Sequence, residues 1–377
     1  MKNHSLIIWK LVSVLTIVST ASLIIWYVNN KNISDIDISS DSEKSIDGLF
    51  LIDDYNDDRK GYIDKSGKTI FTVKLQEGSE GRIFRGSEFH EQLACITKKI
   101  GGGRDARYED GYINKEGKIV IDFQFDFARD FHEGVAFVKL NSKWGLIDKE
   151  GKMIINPQFD DVKDFSQGLA QFKTGNSWGY INKNGQVSIQ AKFKNSSQFE
   201  DDLAAFQSQT DSKWGYINKN GEIVIKAQYD NAEPFSEGLA QVKIGEKWGY
   251  IDKKGRIVIK PRFSEVKKDE FHDREVQGKQ SFSEGLAAVV ENGKRFYIDK
   301  NGKTAISFQQ IDNHENFSEG LATVKIGDKC GYIDTVGKMV IEPKFSSCEP
   351  FSQGLAKVYS EKDGYIDKSG KFIWKSR

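Results

Sequence analysis

Beyond residue 45 the chain alternates apolar and polar positions in short runs, rich in Val, Ile, Tyr and Phe and bounded by Gly, Asp or Asn. Such alternation turns one side of an extended segment toward a core and the other toward water, so it predicts strands. No 3.6-residue period is sustained there, so no long amphipathic helix is expected. The runs come in sets of three. In one set, Leu239 to Lys243 and Trp248 to Asp252 are followed by a tight turn at Lys253, Lys254 and Gly255. The strand Ile257 to Lys260 comes next, then a connector from Pro261 to Ser283.

The sets repeat. The tetrapeptide Gly-Tyr-Ile-Asp or a near variant starts at Gly61, Gly111, Gly145, Gly179, Gly215, Gly249, Phe296, Gly331 and Gly364, which defines nine units spaced by about 34 residues. A second signature, Phe-Ser-Glu-Gly-Leu-Ala, recurs at Phe89, Phe131, Phe165, Phe235, Phe282, Phe317 and Phe351, and is degraded at Phe199. Each third-strand turn is preceded by Asp or Asn, as at Asp148 and Asn182, with Gly three places later, as at Gly151 and Gly185. An Asx side chain accepts the backbone N–H two residues on, and Gly supplies the positive φ a short hairpin needs. Because Asp and Asn exchange freely, that slot requires an acceptor and not a charge. The same holds for Glu133, Glu237, Glu284 and Glu319, which Gln167 and Gln353 replace in other copies.

The segments Lys143 to Phe159, Lys213 to Tyr229 and Lys247 to Phe263 carry Lys-Trp-Gly-Tyr/Leu-Ile-Asp/Asn-Lys-x-Gly, then an apolar strand, and two of the three add Pro-x-Phe. In this the chain resembles the bacterial WG-repeat family over roughly residues 45 to 377. The resemblance implies an all-β repeat protein, often secreted or surface-exposed, with no established catalytic centre. Departures from the pattern are Lys60, Asp110, Arg295, Cys330 and Asp363 in the Trp slot and Phe296 in the Gly slot.

A sheet of three short strands cannot keep both faces dry, so neighbouring units must complete the core. Two all-β architectures achieve this with about nine three-stranded β-meander repeats: an open curved β-repeat solenoid and a closed β-propeller. A unit of 34 residues is lean for a four-stranded blade, and no unit is split between the two ends of the array, so the open array is the expected form.

Ahead of the repeats, Leu11 to Val28 is an 18-residue stretch without formal charge, long enough to cross a bilayer core, with Trp26 and Tyr27 at its far end. It predicts an N-terminal transmembrane signal-anchor over residues 1–30, with secretion after cleavage as the alternative. Lys2 and Lys10 favour a cytoplasmic amino terminus, placing the bulk of the chain outside the cytoplasm. Residues 31–44 are polar and read as a flexible linker to the 45–377 repeat domain.

Charge and chemistry narrow the function. With 55 Lys+Arg against 55 Asp+Glu there is no global field for a polyanion, so nucleic acid is not an expected partner. Cys95, Cys330 and Cys348 read as three buried thiols, although a Cys330–Cys348 bridge is open to an oxidising compartment. Asp54, Asn56 and Asp58 have the spacing that opens a calcium loop, but Arg59 and Lys65 stand where Gly and Glu are required. The histidines lack metal-ligand spacing, so no metal and no cofactor is expected, nor an enzyme. Trp144, Trp178, Trp214 and Trp248 fill one slot in four successive units. A slot that elsewhere takes Lys, Asp or Arg does not read as deep core, which makes these four indoles the candidate ligand-binding residues against a plain packing role. The expected activity is a non-catalytic, membrane-anchored binding or scaffolding surface for a protein partner or a cell-envelope polysaccharide. A passive spacer and a regulatory subunit are the alternatives.

Overall fold

The computed structural model describes residues 36–37, 48–54, 59–75, 82–102, 105–265, 280–308 and 311–376. The leader and most of the linker lie outside these, as do the calcium-like spacing around Asn56 and most of the insertion after Val266. Within them there is no α-helix, and no helix long and apolar enough to cross a membrane. The chain forms nine antiparallel sheets, called here blades 1 to 9 in chain order.

Blade 4 shows the plan. A two-residue strand, Asp161–Val162, is followed by Leu169–Thr174, Ser177–Asn182 and Val187–Phe193, each hydrogen-bonded to the next. The predicted three-stranded meander is therefore present, and the connector adds a fourth, very short strand. That is how 34 residues suffice for a four-stranded blade. Blades 2 to 6, 8 and 9 repeat this order over 82–125, 127–159, 161–193, 195–229, 231–263, 313–345 and 347–375. Blade 7 keeps only Ala287–Glu291, Lys294–Ile298 and Thr304–Ser307. Blade 1 comprises Phe50–Asp54, Arg59–Ile63 and Thr69–Leu75, with Ile36–Asp37 of the expected linker paired to the edge of Thr69–Leu75. The residues inserted at 98–109 extend two strands of blade 2, Leu93–Ile100 and Arg107–Asn114, to eight residues each.

The blades close into a ring. Glycine of each third-strand turn sits on the fourth strand of the preceding blade: a Cβ on Gly185 would lie 2.6 Å from Ile155 Cγ1, and one on Gly221 3.1 Å from Ile189 Cγ2. The same contact joins Gly67 of blade 1 to Ile373 of blade 9. The Phe50 ring packs tilted against Tyr365 with centroids 5.4 Å apart, and the Tyr365 hydroxyl donates to Leu51 O at 2.8 Å. The molecule is a closed nine-bladed β-propeller. The open array, preferred on repeat length, is corrected, because the strand hidden in most of the connectors was not counted.

No blade has a dry interior of its own. Nine clusters of buried apolar side chains each draw members from two consecutive blades. Between blades 3 and 4, for example, Trp144, Leu146 and Phe159 pack against Val162, Phe165 and Phe172. The need of a thin sheet to borrow its neighbour's face is thus met at every junction.

Candidate functional site: blade junctions, indole slots and sheet edges

The recurring polar residues converge at the junctions. In the Phe-Ser-Glu-Gly turn, Glu133 and Gly134 both have positive φ, 55° and 89°, and His132 and Val135 exchange backbone hydrogen bonds, giving a two-residue hairpin turn. This aims the Glu133 carboxylate at the next blade, where it accepts Gly168 N at 2.9 Å. Glu91, Glu237, Glu284 and Glu319 make the equivalent bond to Gly134, Gly285, Gly320 and Gly354. Burial works to raise the Glu91 pKa, but hydrogen bonds from Lys149 and Gly134 overcome it and hold the carboxyl below its usual range. Gln167 accepts Asp202 N at 3.0 Å, which explains why Gln replaces Glu without loss.

Two further bonds recur. Ser166, Ser236, Ser283 and Ser318 donate to the Phe carbonyl of the next blade at 2.6–2.7 Å. His90 and His132 occupy that Ser slot with ring centroids 5.3 Å apart, and Asp130 lies 3.6 Å from His90. The buried Tyr of Gly-Tyr-Ile-Asp also reaches across, as Tyr112 does to Arg129 O, Tyr180 to Ser197 O, Tyr216 to Glu233 O and Tyr332 to Glu349 O. Within each blade the Asx slot caps its own turn, Asp148 accepting Glu150 N and Lys152 N.

The indoles lie in the same junctions. Trp144, Trp178 and Trp248 are buried and Trp214 is half-buried. Among the described residues no indole touches another. A lysine on the paired strand covers each of three rings: Lys139 over Trp144 at 5.6 Å, Lys173 over Trp178 at 5.8 Å and Lys243 over Trp248 at 5.7 Å. Arg129 of the blade 3 edge lies over Trp144 as well, at 5.1 Å. Elsewhere the slot holds other solutions to one problem, joining a blade to the first strand of the next. Asp110 is buried and accepts Ala128 N at 2.7 Å, its pKa raised by burial. Arg295 donates to Asn313 Oδ1 at 3.3 Å. Cys330 is disulfide-bonded to Cys348 on the first strand of blade 9, so two of the three expected thiols are bridged and Cys95 alone is free and buried. A charged residue in this slot therefore does not mark an exposed position, since the slot faces backbone groups that an acid or a guanidinium can satisfy.

The Gly after each Trp has a separate cause. The fourth strand bulges over it, and a Cβ on Gly145 would stand 2.6 Å from Ile155 O. Blade 7 carries Phe296 there, and its last strand pairs with no bulge at that point and ends there, Ser307 lying opposite Phe296. The fourth strand is the edge of its sheet in blades 2 to 6, 8 and 9.

Family-model comparison matches the WG containing repeat at residues 111–144, 144–177, 178–209, 214–248, 248–270, 280–294, 296–330 and 331–361, more than half of the chain. The chain belongs to the WG-repeat family. No curated protein matches the sequence. Among solved structures, the propeller is similar to a eukaryotic initiation factor at 9% identity, covering 89% of this chain and 98% of that one with a TM-score of 0.57. That supports the fold alone. Weaker likenesses, each with a TM-score of 0.39 and 9% identity, are to Kluyveromyces lactis Hsv2p (66% of this chain, 92% of that one) and to Chaetomium thermophilum Sqt1 bound to the N-terminus of a ribosomal protein (74% and 92%).

Two features of this WG-repeat protein escaped the sequence reading, the short connector strands and the exposed fourth-strand edges, whereas the Cys330–Cys348 bridge is the alternative that the sequence left open. The Trp slot that holds Cys330 faces the first strand of the next blade, which is where Cys348 lies. Two-residue strands leave no periodicity to read. Among the described residues no group of three or more His, Cys, Asp or Glu side chains is placed to hold a metal ion.

Proposed function

We propose that this WG-repeat propeller is a non-catalytic scaffold that holds a protein partner, tethered to a membrane by residues 1–30 and facing the outside of the cytoplasm. The observation that carries the reading is the fate of the repeated polar side chains. Glu, Ser and Tyr of the two signatures are taken up in hydrogen bonds between blades, so the recurring chemistry of the repeat builds the ring. The exposed residues that differ from blade to blade lie in the hairpin tips and the sheet edges, where a partner has something to read.

Two further observations support the details. The Cys330–Cys348 bridge fits an oxidising compartment, and the apolar leader fits a tether. The indoles keep a ligand role only through rims and covering lysines, which favours a protein surface over the flat stacking of a polysaccharide. The test is capture from envelope extracts by the full-length protein in mild detergent, with a glycan array alongside. A saturable protein partner and a blank array are the expected result. Glycans alone, or neither, would overturn it. Protease access on intact cells checks the orientation: digestion of the carboxy-terminal blades is expected, and protection would reverse it.

A further inference from the structure

We propose that the fourth strand of blade 5, Ile223–Tyr229, accepts an extended acidic segment of a partner protein as an added strand; this deepens the scaffold reading and rests on it. The strand ends its sheet, so its outer backbone groups have no neighbour in the order of strands. An open edge of this kind pairs readily with another extended chain. Its side chains are unusually apolar for an edge: Ile223 is 60% exposed and Val224 45%.

Blade 5 lacks a guard that three of its sisters carry. Blades 3, 6 and 8 carry Pro157, Pro261 and Pro343 in the middle of this strand, and proline on an edge removes a donor and discourages strand addition. Blade 5 has Ala227 there. The register is the same with either residue: Trp248 pairs with Phe263 and Tyr250 with Ile259 around Pro261, as Trp214 pairs with Tyr229 and Tyr216 with Ile225 around Ala227. The blade's own ladder therefore does not need the N–H that proline would remove. Blades 2, 4 and 9 also lack proline, but blade 2 has the acidic Asp122 where blade 5 has Lys226, blade 4 has the polar Ser188 and Gln190 as exposed neighbours of Ala191, and the blade 9 strand is only four residues long, so each suits an acidic and aliphatic strand less well.

Charge selects the occupant. Lys226 alternates with Val224 on the exposed side of the strand and has no carboxylate within ion-pair distance among the described residues. Two such edges would bring Lys226 against Lys226, which disfavours a second copy of this chain. A segment alternating acidic and aliphatic residues satisfies both the lysine and the two exposed aliphatic side chains.

The substitution Ala227→Pro tests this with little risk to the fold, because three sister blades already hold proline in that slot. The probe is a fluorescein-labelled decapeptide of alternating Glu and Val, titrated against the full-length protein in mild detergent and followed by anisotropy. Saturable binding is expected, weakened at least tenfold by Ala227→Pro and several-fold by Lys226→Glu, with unchanged melting of both variants; a Lys/Val peptide should not bind. Absence of saturable binding to the native protein, or equal affinity in Ala227→Pro, overturns the proposal. Should Ala227→Pro melt early, Ile223→Glu replaces it with the same expected loss. A partner captured equally by native protein and Ala227→Pro would remove this edge and leave the scaffold reading intact, whereas no captured partner at all would count against the scaffold itself.

Discussion

Between blades 4 and 5, Leu169, Tyr180, Ile189 and Phe193 bury against Phe199, Ala204, Phe206 and Ile217, and Tyr180 is latched to Ser197 O on the edge strand of blade 5. Between blades 9 and 1 the buried set shrinks from eight side chains to five: Phe50, Ile52, Ile63, Leu355 and Tyr365, with Ile373 and Trp374 only half-buried. Among the described residues blade 1, like blade 7, also lacks the short strand that in the other blades runs beside the second. In blade 4, Lys163 N donates to Gln171 O through that short strand. At the equivalent position of blade 1, side chains stand in: Tyr365 donates to Leu51 O and the Glu88 carboxylate accepts Leu51 N at 3.2 Å. The backbone groups are satisfied in both places, as burial demands, but at the closing junction the partners are flexible side chains in place of a fixed ladder. The ring therefore has eight junctions made by continuous chain and one made by docking, and the docked one has the smaller buried core.

The comparison breaks most visibly on deletion of a core ring from each junction. Phe199→Ala should cost about 3–5 kcal/mol and lower the melting of the whole propeller, because it opens a cavity in a continuous junction. Phe50→Ala removes a ring of the same size from the seam. Its loss should appear first as faster hydrogen exchange confined to blades 1 and 9, with the other blades still protected. Equal, ring-wide exchange in both variants would mean that the seam is no weaker than its neighbours.

The disulfide sharpens the same contrast, since it ties the last blade to blade 8 just before the docked junction. Cys330→Ser with Cys348→Ser should cost about 3 kcal/mol by releasing the loop between them. Exchange protection should fall in blade 9 more than in blades 3 to 6, where Trp fills the slot instead. Uniform destabilisation across all blades would separate the disulfide from the seam.

Much of this was legible in advance. Nine units, their strands and their turns followed from Gly-Tyr-Ile-Asp and the Asx–Gly spacing, because each depends on local backbone chemistry. The Glu/Gln exchange at Glu133 and Gln167 correctly pointed to an acceptor, and Gly168 and Asp202 of the next blades supply the donors. Ring closure was not legible, since it depends on Gly67 meeting Ile373 across the whole array and no local spacing records that. Nor was the Trp slot: Asp110 and Trp144 look incompatible in one position until the backbone N–H of Ala128 is seen facing Asp110.

A smaller effect distinguishes the tyrosine latches. Burial pushes the ionisation of Tyr180 and Tyr365 well above its usual range, so both remain donors throughout the neutral region. Tyr180→Phe leaves Ser197 O short of one donor and should cost about 1 kcal/mol. Tyr365→Phe removes the one hydroxyl hydrogen that Leu51 O at 2.8 Å and Glu88 at 3.2 Å share, and leaves both acceptors without it, so its cost in urea unfolding should be the larger, on the order of 1.5 kcal/mol. The reverse order would show that the seam relaxes around a lost latch better than a regular junction does.

The smallest effect carries the clearest sign. Burial raises the Glu88 pKa, and hydrogen bonds from Leu51 and Tyr365 only partly oppose it. A carboxyl whose folded pKa is raised imposes no penalty below its unfolded value near 4.5, a growing one as pH climbs through the folded value, and the full one above it. Glu88→Gln keeps an acceptor for Leu51 and removes the charge, so it should melt slightly higher than the native protein at neutral pH and equal to it near pH 4, the change being small because the Glu88 side chain is partly open to solvent. Glu319, at the junction of blades 8 and 9, behaves oppositely. Burial would raise its pKa, but Gly354 and Lys368 overcome that and lower it. Its ionised form therefore supports the fold above the unfolded value, and that support fades as pH falls through the lowered one. Glu319→Gln should melt slightly below the native protein at neutral pH and converge with it in acid, the change being small because the group is largely solvated. Melting curves of the two variants from about pH 4 to 8 should thus diverge from the native curve in opposite directions, and parallel curves would mean that Glu88 is held as a regular junction carboxylate.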